Sequence, residues 1–147
     1  MIGNSFLRRL YRAIGREFVH FTEAAVMLAA ASVAIKVLPF KTVVRMMSLT
    51  TARQARRRAS DGELAIEVRR AVKRASRRLP WTVVCFPEGL AAHWMLRRRG
   101  APSLVHYGLR QSEAGLSAHV WTSLAGEAVV GEETTERHTC VAVFPSS

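Results

Sequence analysis

"WTVVCFPEGLAAHWMLRRRG", residues 81–100, puts a cysteine where an apolar stretch turns into a helix. Pro87 suits the first helical turn, where a missing N–H costs nothing, and Gly100 suits the stop. A helix is therefore predicted from about Phe86 to Arg99, with Cys85 at its start. Two readings of that cysteine follow. Cysteine is often a small buried hydrophobe. A cysteine at the positive end of a helix dipole has its thiolate favoured over its thiol. Which one applies decides whether the segment is packing or chemistry.

Upstream the pattern is helical. "SDGELAIEVRRAVKRASRRLP", residues 60–80, brings Leu64, Val68, Ala71, Val72, Ala75 and Leu79 to one side and Arg70, Lys73, Arg74 and Arg77 to the other. Ser60 with Glu63 fits a capping box, and Pro80 ends the helix. Further back, Leu7, Leu10, Ile14, Phe18 and Phe21 recur at spacings of three and four. They predict a helix from Ser5 to Leu38, which Pro39 stops. "FKTVVRMMS", residues 40–48, reads as a short second helix, and residues 49–59 as a basic linker. Downstream the period changes. "SLVHYGLR", "LSAHVWTSL", "EAVVG" and "TCVAVF" are short β-rich runs parted by polar or glycine-containing turns. Helices first and strands afterwards predict an α+β domain, its Cys85 helix packed on a small antiparallel sheet. A single domain is expected over 1–147, with a helical segment at 1–50 and the core at 60–147.

The 147 residues are 49% hydrophobic, which excludes wholesale disorder. Cys85 and Cys140 alone make no disulfide framework, so a cytoplasmic chain with free thiols is expected. No signal-peptide core follows the basic first residues. The most apolar run, Ala24 to Ile35, has twelve residues, too few to cross a bilayer. It reads as a buried helix rather than a transmembrane segment, with peripheral membrane contact left open. The net charge is +11, and residues 51–80 hold ten Arg and Lys against three acids. Such a face suits an acidic partner, whether peptide, protein, nucleic acid or lipid, and equally suits solvent. Aromatics are absent from it, so it offers nucleic acid no stacking platform and none is expected as a partner.

A thiol nucleophile needs a base, and the base needs an orienting group. His119, in the alternating run "SAHVWTS", is the candidate base, although His93, His106 and His138 are further imidazoles. The orienting group should come from the next strand or its end, where Glu132 and Glu133 stand. The one Asp, Asp61, belongs to a helix start. No CxxC or HExxH pair marks a metal site, and neither a phosphate-binding glycine loop nor GxSxG is present.

Several of these pieces fall into one order. Leu79-Pro80-Trp81 precede Cys85, and Ala91-Ala92 sit in its helix. Arg99-Gly100 end that helix, Gly108-Leu109 lie in the next strand, and Ala118-His119-Val120-Trp121 follow. The order resembles the transglutaminase-like cysteine peptidases of lasso-peptide biosynthesis. "EAAVMLAAASVAIKVLPF", residues 23–40, is similar to the helix that opens their peptidase region, so the resemblance covers most of the chain. It implies a transglutaminase/papain-like core over 60–147, with Cys85 as nucleophile and His119 as base. The family's third member is usually Asp. Here the run is Gly131-Glu132-Glu133, so the resemblance puts Glu132 in that place, with Glu133 next to it. It further implies removal of the leader from a lasso precursor through a cysteine thioester, with no cofactor. The chain resembles the stand-alone form, which implies a separate leader-binding protein and an ATP-dependent lasso cyclase as partners. Two other readings stay open: a non-enzymatic basic binding module, and a transglutaminase-like acyl transferase. Access of water decides between hydrolysis and transfer.

Overall fold

A computed structural model of the protein describes residues 3–49 and 60–145. Four helices come first: α1 (Gly3–Val37), α2 (Phe40–Leu49), α3 (Asp61–Ser76) and α4 (Cys85–Arg98). Four strands follow: β1 (Ser103–Ser112), β2 (Gly115–Leu124), β3 (Glu127–Val130) and β4 (Thr139–Phe144). A 3-10 helix, Glu132–Arg137, joins the last two. The sheet is antiparallel in the order β3-β2-β1-β4, so the chain leaves one edge at β3 and returns to the other at β4. The α+β architecture is the one expected.

Of the basic linker expected over residues 49–59, Leu49 closes α2 and residues 50–59 lie outside the described residues. Ser60 does occupy the N-cap of α3, but its backbone (φ −88°, ψ 3°) is not extended and its hydroxyl makes no capping bond. The capping box therefore does not form. α3 also gives way at Ser76, ahead of Pro80, through a tightened last turn in which the Arg78 N–H reaches the Ala75 carbonyl.

The core is built on small residues. Ala24, Leu28 and Ala31 recur on one side of α1, all fully buried, and the alanines let α1 approach α3 and α4 closely. One cluster joins Leu28 to Val68, Val72, Met95, Leu96 and Val130; a second joins Ala31 to Val43, Met47, Leu90, Val105 and Val120. Burying one leucine of this kind contributes about 1.5–3 kcal/mol. Leu28→Ala, which also leaves a cavity, would cost about 2–5 kcal/mol. By length and composition, Leu7–Val37 would suffice to cross a membrane, well beyond the twelve-residue run read from sequence. One side of its second half, Ala24, Leu28 and Ala31, is buried in the core.

α4 is pinned to the sheet along its length. The Thr122 hydroxyl donates to the Gly89 carbonyl at 2.8 Å, and a Cβ at Gly89 would stand 2.9 Å from Val120 Cγ1. Glycine is what lets helix and strand meet there. One turn further on, the Ser103 hydroxyl and His93 Nδ1 are 2.9 Å apart.

Candidate active site

Cys85 is the first residue of α4. Its predecessor Val84 takes the extended N-cap conformation (φ −94°, ψ 172°) and has no side-chain oxygen to cap with. Pro87 has no N–H, and the Glu88 N–H is bonded to the Val84 carbonyl at 3.3 Å. The N–H groups of Cys85 and Phe86 are thus the uncapped donors of the first turn, at the positive pole of the helix. Cys85 is half-buried, unpaired and in neither core cluster. The packing reading does not describe it. Among the described residues its thiol has no hydrogen-bond partner.

His119 lies on β2. Val120 and Thr122 turn toward α4, so strand alternation sends His119 and Trp121 to the other face. β3 pairs with β2 only from Thr122 onward, which leaves His119 where the sheet edge is open. There His119 Nε2 donates to the Gly131 carbonyl at 2.7 Å. A carbonyl oxygen only accepts, so Nε2 carries the proton and Nδ1 of the neutral ring is the free base. Gly131 makes this possible. Its φ of +80° is in the left-handed region, and a Cβ would fall 2.7 Å from the Val120 carbonyl oxygen.

The two glutamates expected near the base are each held by α3. Glu132 forms a two-pronged ion pair with Arg69. Glu133 pairs with Lys73 at 3.2 Å, and Lys73 also reaches Glu88 of α4 at 3.1 Å. Burial pulls the Lys73 ammonium down, but hydrogen bonds and charge from Glu88 and Glu133 hold it above the ordinary lysine value. Glu133 is held below the usual carboxylate range by a hydrogen bond from its own backbone N–H, with Lys73 and Arg69 adding to it. Lys73 therefore ties the start of α4 to the segment beside Gly131. His119 lies on the sheet face turned away from α4, and Cys85 and His119 are not hydrogen-bonded to each other. The hydrogen bond that fixes the imidazole comes from the carbonyl of Gly131, one residue before Glu132.

Other imidazoles extend the outer face. The His106 ring stacks on Trp121 at 5.2 Å, His138 lies 5.2 Å from His119, and Ser123 Oγ is 2.7 Å from His106 Nε2. Cys140, exposed, has its sulfur 3.9 Å from His106 Nδ1. No group of three or more His, Cys, Asp or Glu is placed to hold a metal among the described residues. The basic face of α3 is only partly free: Lys73 and Arg74 are paired with acids, while Arg70 and Arg77 are exposed beside an open cleft that reaches Glu88 and Glu133. Arg69 and the Gly131 carbonyl are parts of the site that the sequence did not single out, and Lys73 was expected only on the basic face of α3.

A thiol at a helix start, beside an antiparallel sheet whose edge holds an oriented imidazole, is the equipment of acyl transfer through cysteine. The chain belongs to the transglutaminase-like superfamily, whose family model matches residues 25–143. That superfamily contains cysteine peptidases and acyl transferases. No curated protein matches the chain, and no solved structure does.

Proposed function

We propose that this protein is a cysteine peptidase that removes the leader from a ribosomally made lasso-peptide precursor in the cytoplasm. The observation that carries the reading is the His119 ring, whose Nε2–H is tied to Gly131 so that Nδ1 is left as base at the open sheet edge. The superfamily match and the order of motifs around Cys85 and His119 support the rest.

The chemistry needs the thiol and the imidazole within hydrogen-bond reach, a contact that is commonly long in an unliganded enzyme. His119 Nδ1 takes the proton of Cys85, and the sulfur attacks the scissile carbonyl. The developing oxyanion is met by the uncapped N–H groups of Cys85 and Phe86. His119 then protonates the leaving amine, the new N-terminus of the core peptide. Water, deprotonated by the same nitrogen, hydrolyses the thioester and frees the leader. Glu132 and Glu133 act here through Arg69 and Lys73, as fasteners of the corner. A separate leader-binding protein delivers the precursor, and an ATP-dependent cyclase consumes the freed amine.

The test combines the purified protein, a precursor peptide and its leader-binding protein, with fragments read by mass. Wild type should give a leader ending in a free carboxylate. Cys85→Ala should give none. A product in which the leader is joined to an added amine would replace hydrolysis by transfer. Cleavage undiminished in Cys85→Ala would overturn the whole reading.

A further inference from the structure

α1 has a face that the core does not use. In its first half Leu7, Leu10, Tyr11, Ile14 and Phe18 are all exposed, Tyr11 at 75% and Phe18 at 66%. At helical spacing the five fall within a sector of about 100°. Arg8, Arg9 and Arg12, also exposed, fall on the other side. Both acids of α1 are already matched, Glu17 by Arg74 and Glu23 by Arg99. The charge of Arg8, Arg9 and Arg12 is therefore unanswered among the described residues, in a chain of net charge +11.

We propose that this face of α1 lies flat on an anionic lipid surface. Apolar and cationic residues divided along one helix are what an acyl boundary under phosphate headgroups takes up. Length separates lying from spanning. Arg16 and Glu17 pair with Glu67 and Arg74 of α3 and Phe21 packs on the core, so only the part before Arg16 is free. Gly3 to Gly15 rises about 18 Å, short of the roughly 30 Å hydrocarbon core. Lying in the plane, the exposed row from Leu7 to Phe18 runs about 17 Å and needs no unfolding. The proposal is independent of the peptidase reading, since neither Cys85 nor His119 enters it.

The test uses the full chain and sedimentation with vesicles of phosphatidylcholine, with or without 30% phosphatidylglycerol (roughly the anionic content that gives a bilayer a surface potential). Binding should require the anionic lipid and weaken at high salt. Each arginine at such a surface is worth about fivefold in partition, so R8Q/R9Q/R12Q should lose about a hundredfold. L10Q/I14Q/F18Q should also lose binding. These side chains are exposed, and an unchanged melting temperature will show that each variant folds. Absence of binding to anionic vesicles overturns the proposal, as does binding that survives either variant. A dimer that only the apolar variant dissolves, with no vesicle binding, assigns the face to a second copy and overturns it equally.

Discussion

Acid should destabilise this protein before its carboxylates begin to protonate, and His93 is the reason. The ring is fully buried on α4, between the Ser103 hydroxyl (2.9 Å from Nδ1) and the Met47 carbonyl (3.4 Å from Nε2). Burial, with some help from the charge of Arg97 and against the Met47 hydrogen bond, lowers its pKa from 6.5 to about 4. The unfolded chain then binds this proton more tightly than the folded one. Stability supplied by the neutral ring is complete above about pH 6.5 and is lost as pH falls toward about 4. Between pH 7.5 and 4.5 the loss is about 2.5 kcal/mol. His106, also lowered by burial, acts in the same sense. Glu23 and Glu133, held below the ordinary 4.5, give up their share only under this window. His93→Gln isolates the effect, because the amide can still accept from Ser103 and donate to Met47. Urea unfolding followed by tryptophan fluorescence at the two pH values measures it. The variant should lose about 2.5 kcal/mol less than wild type across the interval. Equal losses in the two proteins would refute the assignment.

Gly131→Ala should cost about 2–3 kcal/mol, from the left-handed backbone and the contact with the Val120 carbonyl, and should cut turnover at least tenfold in the folded protein. Nitrogen NMR of His119 should then show Nε2–H giving way to a mixture of tautomers. Cys85→Ala and His119→Ala should each abolish thioester formation without adding in the double variant, whereas Cys140→Ala should leave turnover near wild type; a large Cys140 effect would move the chemistry to the outer face. Lys73→Met leaves Glu88 and Glu133 facing each other without their cation, so stability should fall by about 1–3 kcal/mol and the Glu133 carboxyl should titrate higher, as a pH series of carboxyl chemical shifts would record.

The elements were legible because each has an unambiguous period or punctuation. Pro39 and Gly100 stop their helices, and the four β runs match the four strands to within two residues. Cys85 and His119 were legible from motif order. What escaped were features carried by backbone or by distant partners. The acceptor for His119 is a carbonyl, which every residue has; only the glycine at 131, by tolerating φ +80°, hinted that a backbone group would be turned there. Glu132 and Glu133 stood out as carboxylates near the base. That α3 claims both, through Arg69 and Lys73, depends on packing between segments some sixty residues apart, and periodicity carries no trace of it. Ser60 shows the opposite error. A correct capping pattern formed no cap, since the backbone at Ser60 took another conformation.

The alanine-lined flank of α1 sets the order of events during synthesis. Leu28 packs in the cluster that includes Val68 and Leu96, which lie forty and sixty-eight residues later in the chain. At about 5–20 residues per second, a ribosome needs about 2–14 s to deliver them. For that interval Leu28 has none of its native partners from α3 and α4. Whatever shields it in the cell must act on the nascent chain rather than on the finished fold.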